Sequence, residues 1–134
     1  MIGILVVSHG SLAAGLLDAA ALFFGKQPQL SALMLRDGDD AQDFRCRMEK
    51  AVAELDCGDG VLILADLFGG TPCNCAMALQ SASVQVVAGV NLPMLMEALS
   101  LRDAAPISTQ EIAAAARDGV VIPALADAGE DEDF

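Results

Sequence analysis

The chain has no tryptophan and no tyrosine, and it has few positive charges. Seven Lys and Arg residues stand against nineteen Asp and Glu residues, which gives a formal net charge of −12. Proteins that bind nucleic acid or anionic lipid usually present a basic surface, and single strands are commonly held on stacked aromatic rings. The composition therefore predicts neither a nucleic acid nor an anionic membrane surface as a partner.

The chain also has no long apolar segment. No stretch approaches the ~20 apolar residues of a membrane-spanning helix. The apolar run near the N-terminus follows no Lys or Arg and is too short for the core of a signal peptide. The four cysteines do not show the spacing of a disulfide framework. We therefore expect a reduced, cytoplasmic chain with no direct membrane insertion.

What the sequence does have is a regular alternation of apolar strand-like runs and helical patterns. Runs at residues 2–8, 30–35, 61–65 and 84–88 are each followed by a segment with helical spacing of apolar residues. This alternation predicts a single-domain α/β fold with an open, mainly parallel sheet and helices on both faces. The expected strand order is 2-1-3-4, with a short C-terminal edge strand at residues 119–122. We expect the domain to span residues 1–125 and an acidic, disordered tail to span residues 126–134.

Residues typical of helix starts mark three of the predicted helices. Ser11 is the predicted N-cap of the first helix, and Thr71 is the predicted N-cap of the third, followed by Pro72. Ser108, with a glutamate three residues later, matches a capping box before the last helix. These positions predict the residues at which the three helices begin.

The predicted topology also indicates where a ligand would bind. In an open parallel sheet, ligands bind beyond the carboxyl ends of the strands, at the point where the strand order reverses. For the order 2-1-3-4 this point lies between the first and third strands. The loops that follow these strands, residues 8–11 and 66–72, are also the two most unusual loops in the sequence. We therefore expect the functional site between them.

His9 is the only histidine, and it directly follows the first predicted strand. Asp66 occupies the equivalent place after the third strand. A carboxylate that accepts the Nδ1 proton of His9 would hold one tautomer and leave Nε2 as a nucleophile. The alternatives are a capping or hydrogen-bonded surface histidine and an aspartate satisfied by its own loop. Both interpretations stay open from the residues alone.

The remaining candidates are small residues of the same two loops. Gly10, Gly69 and Gly70 would let the backbone approach an anionic electrophile closely, and two helix N-termini would offer unpaired N–H groups to it. Thr71 could add its hydroxyl. Ordinary turn glycines and a simple helix cap are the alternatives.

Other chemistries fit the motifs less well. The loop 69–71 has neither the spacing nor the lysine of a P-loop, and loop 8–11 lacks the nucleophile elbow of hydrolases. Cys73 and Cys75 supply two thiols, whereas a structural zinc site needs four ligands. We therefore predict no cofactor and no metal. A thiol-based redox protein that uses Cys73 and Cys75 stays open as a competing class.

Three segments in register give the chain a resemblance to a known family. They are Val6-Val7-Ser8-His9-Gly10, Asp66-Leu67-Phe68-Gly69-Gly70-Thr71-Pro72 and Ala88-Gly89-Val90-Asn91-Leu92-Pro93-Met94-Leu95. Their order and spacing resemble the mannose-type enzyme IIA domain of the bacterial phosphoenolpyruvate-dependent sugar phosphotransferase system (PTS) from residue 1 to about residue 122. The phosphoryl-transfer subunit of dihydroxyacetone kinase shares the strand followed by histidine, but loop 69–72 resembles the mannose type more closely.

The resemblance implies a cytoplasmic phosphocarrier, which is a phosphotransferase component. His9 corresponds to the family's phosphorylated histidine, Asp66 to the aspartate that orients it, and Thr71 to the hydroxyl residue beside the phosphohistidine. The small carrier protein HPr would donate the phosphoryl group, and a IIB protein would receive it for sugar uptake and phosphorylation. The resemblance also implies a homodimer with an exchanged C-terminal strand, which we place at residues 119–122.

The sequence departs from the family pattern in two respects. Cys73 and Cys75 have no implied role, and we expect no fused IIB domain after the acidic tail. The phosphoryl acceptor is therefore open. The alternative to transport is a regulatory phosphohistidine module that a partner protein reads without sugar transport. The sugar cannot be read from the chain, because a phosphocarrier contacts proteins and not sugar.

Overall fold

The structure is a computed structural model that describes residues 1–104 and 106–127, the side chain of Asp127 excepted. The strands are β1 (Gly3–His9), β2 (Leu30–Leu35), β3 (Val61–Ala65) and β4 (Val84–Ala88). The helices are α1 (Leu12–Phe24), α2 (Ala41–Leu55), α3 (Thr71–Ala78), α4 (Leu92–Leu101) and α5 (Thr109–Asp118), followed by a short 3-10 turn, Leu125–Asp127. None of the helices within these residues is long and apolar enough to cross a bilayer.

The four strands form one parallel sheet in the order β2-β1-β3-β4, as the sequence predicts. Alternating side chains of β1 and β3 pack to opposite faces of the sheet. Ile4, Val6, Leu62 and Leu64 pack with α1, α4 and α5, whereas the residues between them pack with α2 and α3. The apolar runs are continuous because both faces of the sheet are covered by helices.

The prediction of a C-terminal edge strand at residues 119–122 is wrong for the single chain. Helix α5 ends at Asp118, and the structure places no strand at residues 119–122 within its described part. Val120, Val121 and Ile122 are instead exposed. A strand forms only when a neighbour pairs with it, and apolar β-branched residues alone supply no such neighbour. The predicted acidic tail lies mostly at residues 128–134, outside the described residues.

The predicted helix caps differ in outcome. Ser11 is the N-cap residue of α1, as predicted, but its side chain makes no capping bond, and the N–H of Ala13 in the first turn of α1 bonds instead to the hydroxyl of Ser8 at 2.8 Å. Gly70, not Thr71, is the N-cap of α3, so Thr71 is the first residue of that helix. The Ser108 cap is confirmed, since its hydroxyl accepts from the N–H of Glu111.

Candidate functional site

The site lies where β1 and β3, adjacent in the sheet, reach their carboxyl ends. Val7 of β1 is in register with Ala65, the last residue of β3, and β1 continues for two further residues to end at His9. The backbone N–H of Asp66 donates to the carbonyl of Val7 at 3.1 Å and extends the pairing by one step. After β1 the chain continues to β2 on one side of this central pair, and after β3 it continues to β4 on the other side. The structure therefore brings His9 and Asp66 together at the predicted switch point.

One carboxylate oxygen holds His9 at two places. Asp66 Oδ2 accepts from the backbone N–H of His9 at 2.9 Å and lies 2.8 Å from the ring nitrogen Nδ1. A carboxylate can only accept, so the facing Nδ1 carries the proton and the neutral ring has its lone pair at Nε2. The side chain of Asp66 is 11% exposed and that of His9 is 47% exposed. The ring is thus fixed on its buried side and open on its outer side.

Asp66 bonds to His9 through its side chain and not to its own loop. Its second oxygen, Oδ1, is buried and has no hydrogen-bond partner within residues 1–104 and 106–127. A buried charged oxygen without a partner is costly, so it is retained only where the rest of the structure compensates. This geometry does not fit the alternative of an aspartate satisfied by its own turn.

The three candidate glycines serve two different needs. Gly10 and Gly69 have φ values of 57° and 90°, which favour glycine because other residues are strained there. Gly70 has an ordinary φ of −84°, but a Cβ at this position would lie 2.6 Å from His9 Cε1 and 3.2 Å from Nε2. Gly70 is therefore required because the backbone packs against the imidazole edge that carries the lone pair.

Replacing Gly70 with alanine should displace the ring, because the added methyl group would overlap Cε1. We expect any group transfer that uses His9 Nε2 to slow by at least about tenfold, the scale expected when a reacting group is misplaced by a fraction of an ångström to an ångström. The measurement is the single-turnover transfer rate. Gly15→Ala is the matched control, since its Cβ meets nothing within 4 Å and it should leave transfer unchanged. An unchanged rate for Gly70→Ala would show that the contact has no role.

Thr71 lies at the beginning of α3, directly after Gly70. Its hydroxyl is not used to cap the helix, because Gly70 is the N-cap and no side chain caps this end. Thr71 also lines one end of an open groove of about 530 Å³ between α2 and α3, together with Arg45, Cys46 and Asn74. Asn74 Nδ2 donates to the carbonyl of Gly69 at 3.4 Å, which ties the loop back to the helix.

Large apolar side chains are exposed in or next to the two loops that hold His9 and Asp66. Leu67 and Phe68, directly after Asp66, are 59% and 74% exposed, and Leu12 at the start of α1 is 49% exposed. We call Leu12, Leu67 and Phe68 the apolar rim. Exposed apolar side chains are normal when scattered, but three in or next to the two loops of one site indicate a contact surface for a protein.

Two polar residues that support the site were not predicted. Ser8 is fully buried and bonds to the turn on the far side of His9, although the sequence indicates only an apolar strand end. Asn91 caps α4 through the N–H of Met94 and donates to the carbonyl of Ala116 in α5. A polar residue inside an otherwise apolar run was the one signal that could have identified Ser8.

Cys73 and Cys75, the two thiols of the competing redox interpretation, do not form a reactive centre. Cys73 and Cys75 are both free and buried, and burial raises the pKa of the Cys75 thiol, which disfavours the thiolate. The described residues hold no group of three or more metal-ligating side chains. The redox interpretation therefore has no support in the geometry.

Comparisons with known proteins agree with this geometry. A family model described as "PTS system fructose IIA component" matches residues 3–117. The "PTS system fructose-specific EIIA component" of Bacillus subtilis is 33% identical over 105 residues, which cover 77% of this chain and 72% of that protein. The "PTS system mannose-specific EIIAB component" of Escherichia coli K12 is 34% identical over 120 residues, or 88% of this chain, but these span only 37% of that longer protein.

A solved structure shows the same fold. The crystal structure of the PTS IIA protein associated with the fucose utilization operon of Streptococcus pneumoniae has a TM-score of 0.82 and 36% sequence identity. The match covers 90% of this chain and 91% of that chain. On the family model and these relatives, the chain belongs to the mannose/fructose-type IIA components of the PTS.

Proposed function

We propose that the chain is a phosphocarrier that accepts a phosphoryl group from phospho-HPr on His9 and passes it to a IIB protein. Membership of the IIA family implies a phosphoryl-transfer role in sugar uptake. The observation that carries the finer proposal is the double contact of Asp66 Oδ2 with His9, which places the lone pair of the neutral ring at Nε2 of a side chain that is 47% exposed.

The transfer itself moves one phosphoryl group between two imidazole rings. The lone pair of Nε2 attacks phosphorus, the N–P bond of the donor's phosphohistidine breaks, and the donor's ring nitrogen keeps the electron pair. The proton on Nδ1 stays in place, so the phosphorylated ring of His9 carries a positive charge that Asp66 neutralises. A positively charged ring is also a good leaving group in the next transfer.

The phosphoryl oxygens need hydrogen-bond donors, because the chain as a whole is strongly acidic. The first N–H groups of a helix have no acceptor within that helix and attract anions. Helix α1 begins at Leu12, three residues after His9, and helix α3 begins at Thr71, directly after Gly70. These N–H groups and the hydroxyl of Thr71 would supply the charge stabilisation that a loose phosphoryl-transfer transition state requires.

The apolar rim supports a protein, and not a small molecule, as the phosphoryl donor. Contact of a partner with Leu12, Leu67 and Phe68 would exclude water from the transferring group.

The experiment that tests the proposed function is incubation of the chain with HPr, its kinase and radiolabelled phosphoenolpyruvate. We expect one acid-labile, base-stable phosphate per chain, dependent on HPr, and its discharge by a mannose-type IIB protein. A wild-type chain that takes up no phosphate would contradict the proposal. Phosphate retained with IIB present would favour the regulatory module.

We also propose that the chain is a homodimer with exchanged C-terminal segments. Strand β4 is an edge of the sheet formed by the described residues, and edges invite pairing. Val120, Val121 and Ile122 form a β-branched segment, with Ile122 96% exposed. Such a segment would add to the sheet of the partner subunit and cover its own apolar side chains.

Sedimentation at micromolar concentrations should therefore give a dimer. Val121→Asp should shift it to the monomer, because a buried charge at the interface is costly. Val121→Thr keeps the β-branched shape and should retain more of the dimer. A monomeric wild-type chain, or a dimer unaffected by Val121→Asp, would contradict strand exchange at this segment.

A further inference from the structure

Ser8 is a buried polar residue in an apolar strand, and it lies next to the reactive histidine. Its relative exposure is 0%, and only Arg102 is a second fully buried polar or charged residue among those the structure describes. Burying a hydroxyl costs free energy unless its hydrogen bonds are made. The position therefore needs a reason beyond packing.

Both hydrogen-bonding capacities of this hydroxyl are used, and both partners follow His9 in the chain. Ser8 Oγ donates to the carbonyl of Gly10 at 3.1 Å and accepts from the N–H of Ala13 at 2.8 Å. Side chains alternate along a strand, so Ser8 points toward α1 whereas His9 points to the opposite face. One hydroxyl thus joins the turn after His9 to the first turn of α1.

The bonds of Ser8 and Asp66 hold different parts of the same segment. Asp66 Oδ2 fixes the backbone N–H and the ring of His9, and the N–H of Gly10 is held by the carbonyl of Leu35 at 2.8 Å. The side-chain bond to the first turn of α1 comes from Ser8, because Ser11 makes no capping bond. The position of that first turn decides where its remaining N–H groups lie relative to Nε2.

We propose that Ser8 is a positioning residue for phosphoryl transfer. It holds the N-terminus of α1 in a fixed position relative to the His9 ring. The inference rests on the proposed function, since the N–H groups it positions are those that would bind the phosphoryl oxygens. Ser8 touches neither the phosphoryl group nor the reacting nitrogen, and it acts through the backbone of residues 10–13. Losing its hydroxyl should therefore affect the transfer step and not the encounter with the phosphoryl donor.

The test compares Ser8→Ala with Ser108→Ala. The Ser108 hydroxyl accepts from the N–H of Glu111 at 3.3 Å, so its removal also costs a helix cap, but at α5. Single-turnover transfer from phospho-HPr is measured over a range of donor concentrations at equal folded fraction. We expect Ser8→Ala to lower the maximal rate about tenfold with an unchanged half-saturating concentration. Ser108→Ala should keep the wild-type rate, and Ser8→Thr, which retains the hydroxyl, should recover most of it.

The outcomes separate the two proposals. If the wild-type chain and Ser108→Ala transfer phosphate and Ser8→Ala transfers equally fast, Ser8 is only a structural cap and this inference is overturned. The same conclusion follows if Ser8→Ala changes only the half-saturating concentration. If Ser8→Ala does not fold, Ser8→Cys keeps the volume with a weaker hydrogen-bonding group, and a wild-type rate for that variant would overturn the inference. Failure of the wild-type chain to accept phosphate would instead reject the proposed function.

Discussion

Replacement of His9 by alanine should reduce phosphate uptake from phospho-HPr to background. His9 is the only histidine in the sequence, so no second imidazole can substitute for it. Asp66 bonds to the ring of His9 through Nδ1 at 2.8 Å, and the His9 side chain is 47% exposed. Removing a nucleophile removes the covalent step itself, and binding of the phosphoryl donor cannot compensate for it. The measurement is radiolabel retained after base treatment and lost after acid treatment.

A second substitution at this position separates chemistry from folding. Alanine removes the donor to Asp66 and leaves a largely buried carboxylate with only the backbone N–H of His9. The amide N–H of His9→Asn can replace the Nδ1–H donor to Asp66, yet it has no nucleophilic nitrogen. We expect His9→Asn to unfold close to the wild-type temperature and to be as inactive as His9→Ala. Labelling of His9→Ala equal to that of the wild-type chain would show that phosphate is carried elsewhere.

Replacement of Asp66 should give the second largest effect, and the structure changes the reason for it. The same oxygen accepts from the backbone N–H and from Nδ1. The amide oxygen of Asp66→Asn can accept both bonds, so the ring orientation and the tautomer should survive. What asparagine lacks is the negative charge that neutralises the phosphorylated ring. We expect transfer to slow by about 10²-fold, the scale for loss of one electrostatic contact to a transition state.

Asp66→Ala should slow transfer further than Asp66→Asn, because it also removes the orientation of the ring. The expected loss of stability is about 1–3 kcal/mol, since two hydrogen bonds to a charged group disappear. Because the chain has one histidine, NMR of the ring nitrogens reports the tautomer without assignment ambiguity. We expect the wild-type tautomer in Asp66→Asn and a mixture in Asp66→Ala.

Asp56→Asn is the matched control for this pair. Asp56 Oδ1 also accepts two N–H bonds, from Gly58 at 2.8 Å and from Gly60 at 3.0 Å, at the opposite end of β3. The control removes one negative charge while its amide oxygen can still accept both bonds, and it should leave the transfer rate unchanged. If Asp66→Asn transferred at the wild-type rate, the charge of Asp66 would have no part in the reaction. Asp66 would then be a residue that only shapes the loop.

The errors in the sequence interpretation share one physical cause. Ser11 has the right residue type for an N-cap, yet Ser8, three residues earlier and inside a strand, makes the bond. The segment at residues 119–122 has the right composition for a strand, yet the single chain gives it no neighbour. Local propensity indicates which structures a segment can adopt, and tertiary contacts select among them.

The sequence by itself determined the order of the elements, the parallel sheet and the two loops that meet at its switch point. These follow from the periodicity of apolar residues and from the steric rules of strand connection, which act locally or on topology. It also determined that any imidazole chemistry must use His9. Only the tertiary structure decided that one oxygen of Asp66 holds a ring 57 residues earlier in the chain and leaves Nε2 open. Contacts at that separation depend on the register of β1 against β3 to within an ångström, and residue types alone do not specify distances at that scale.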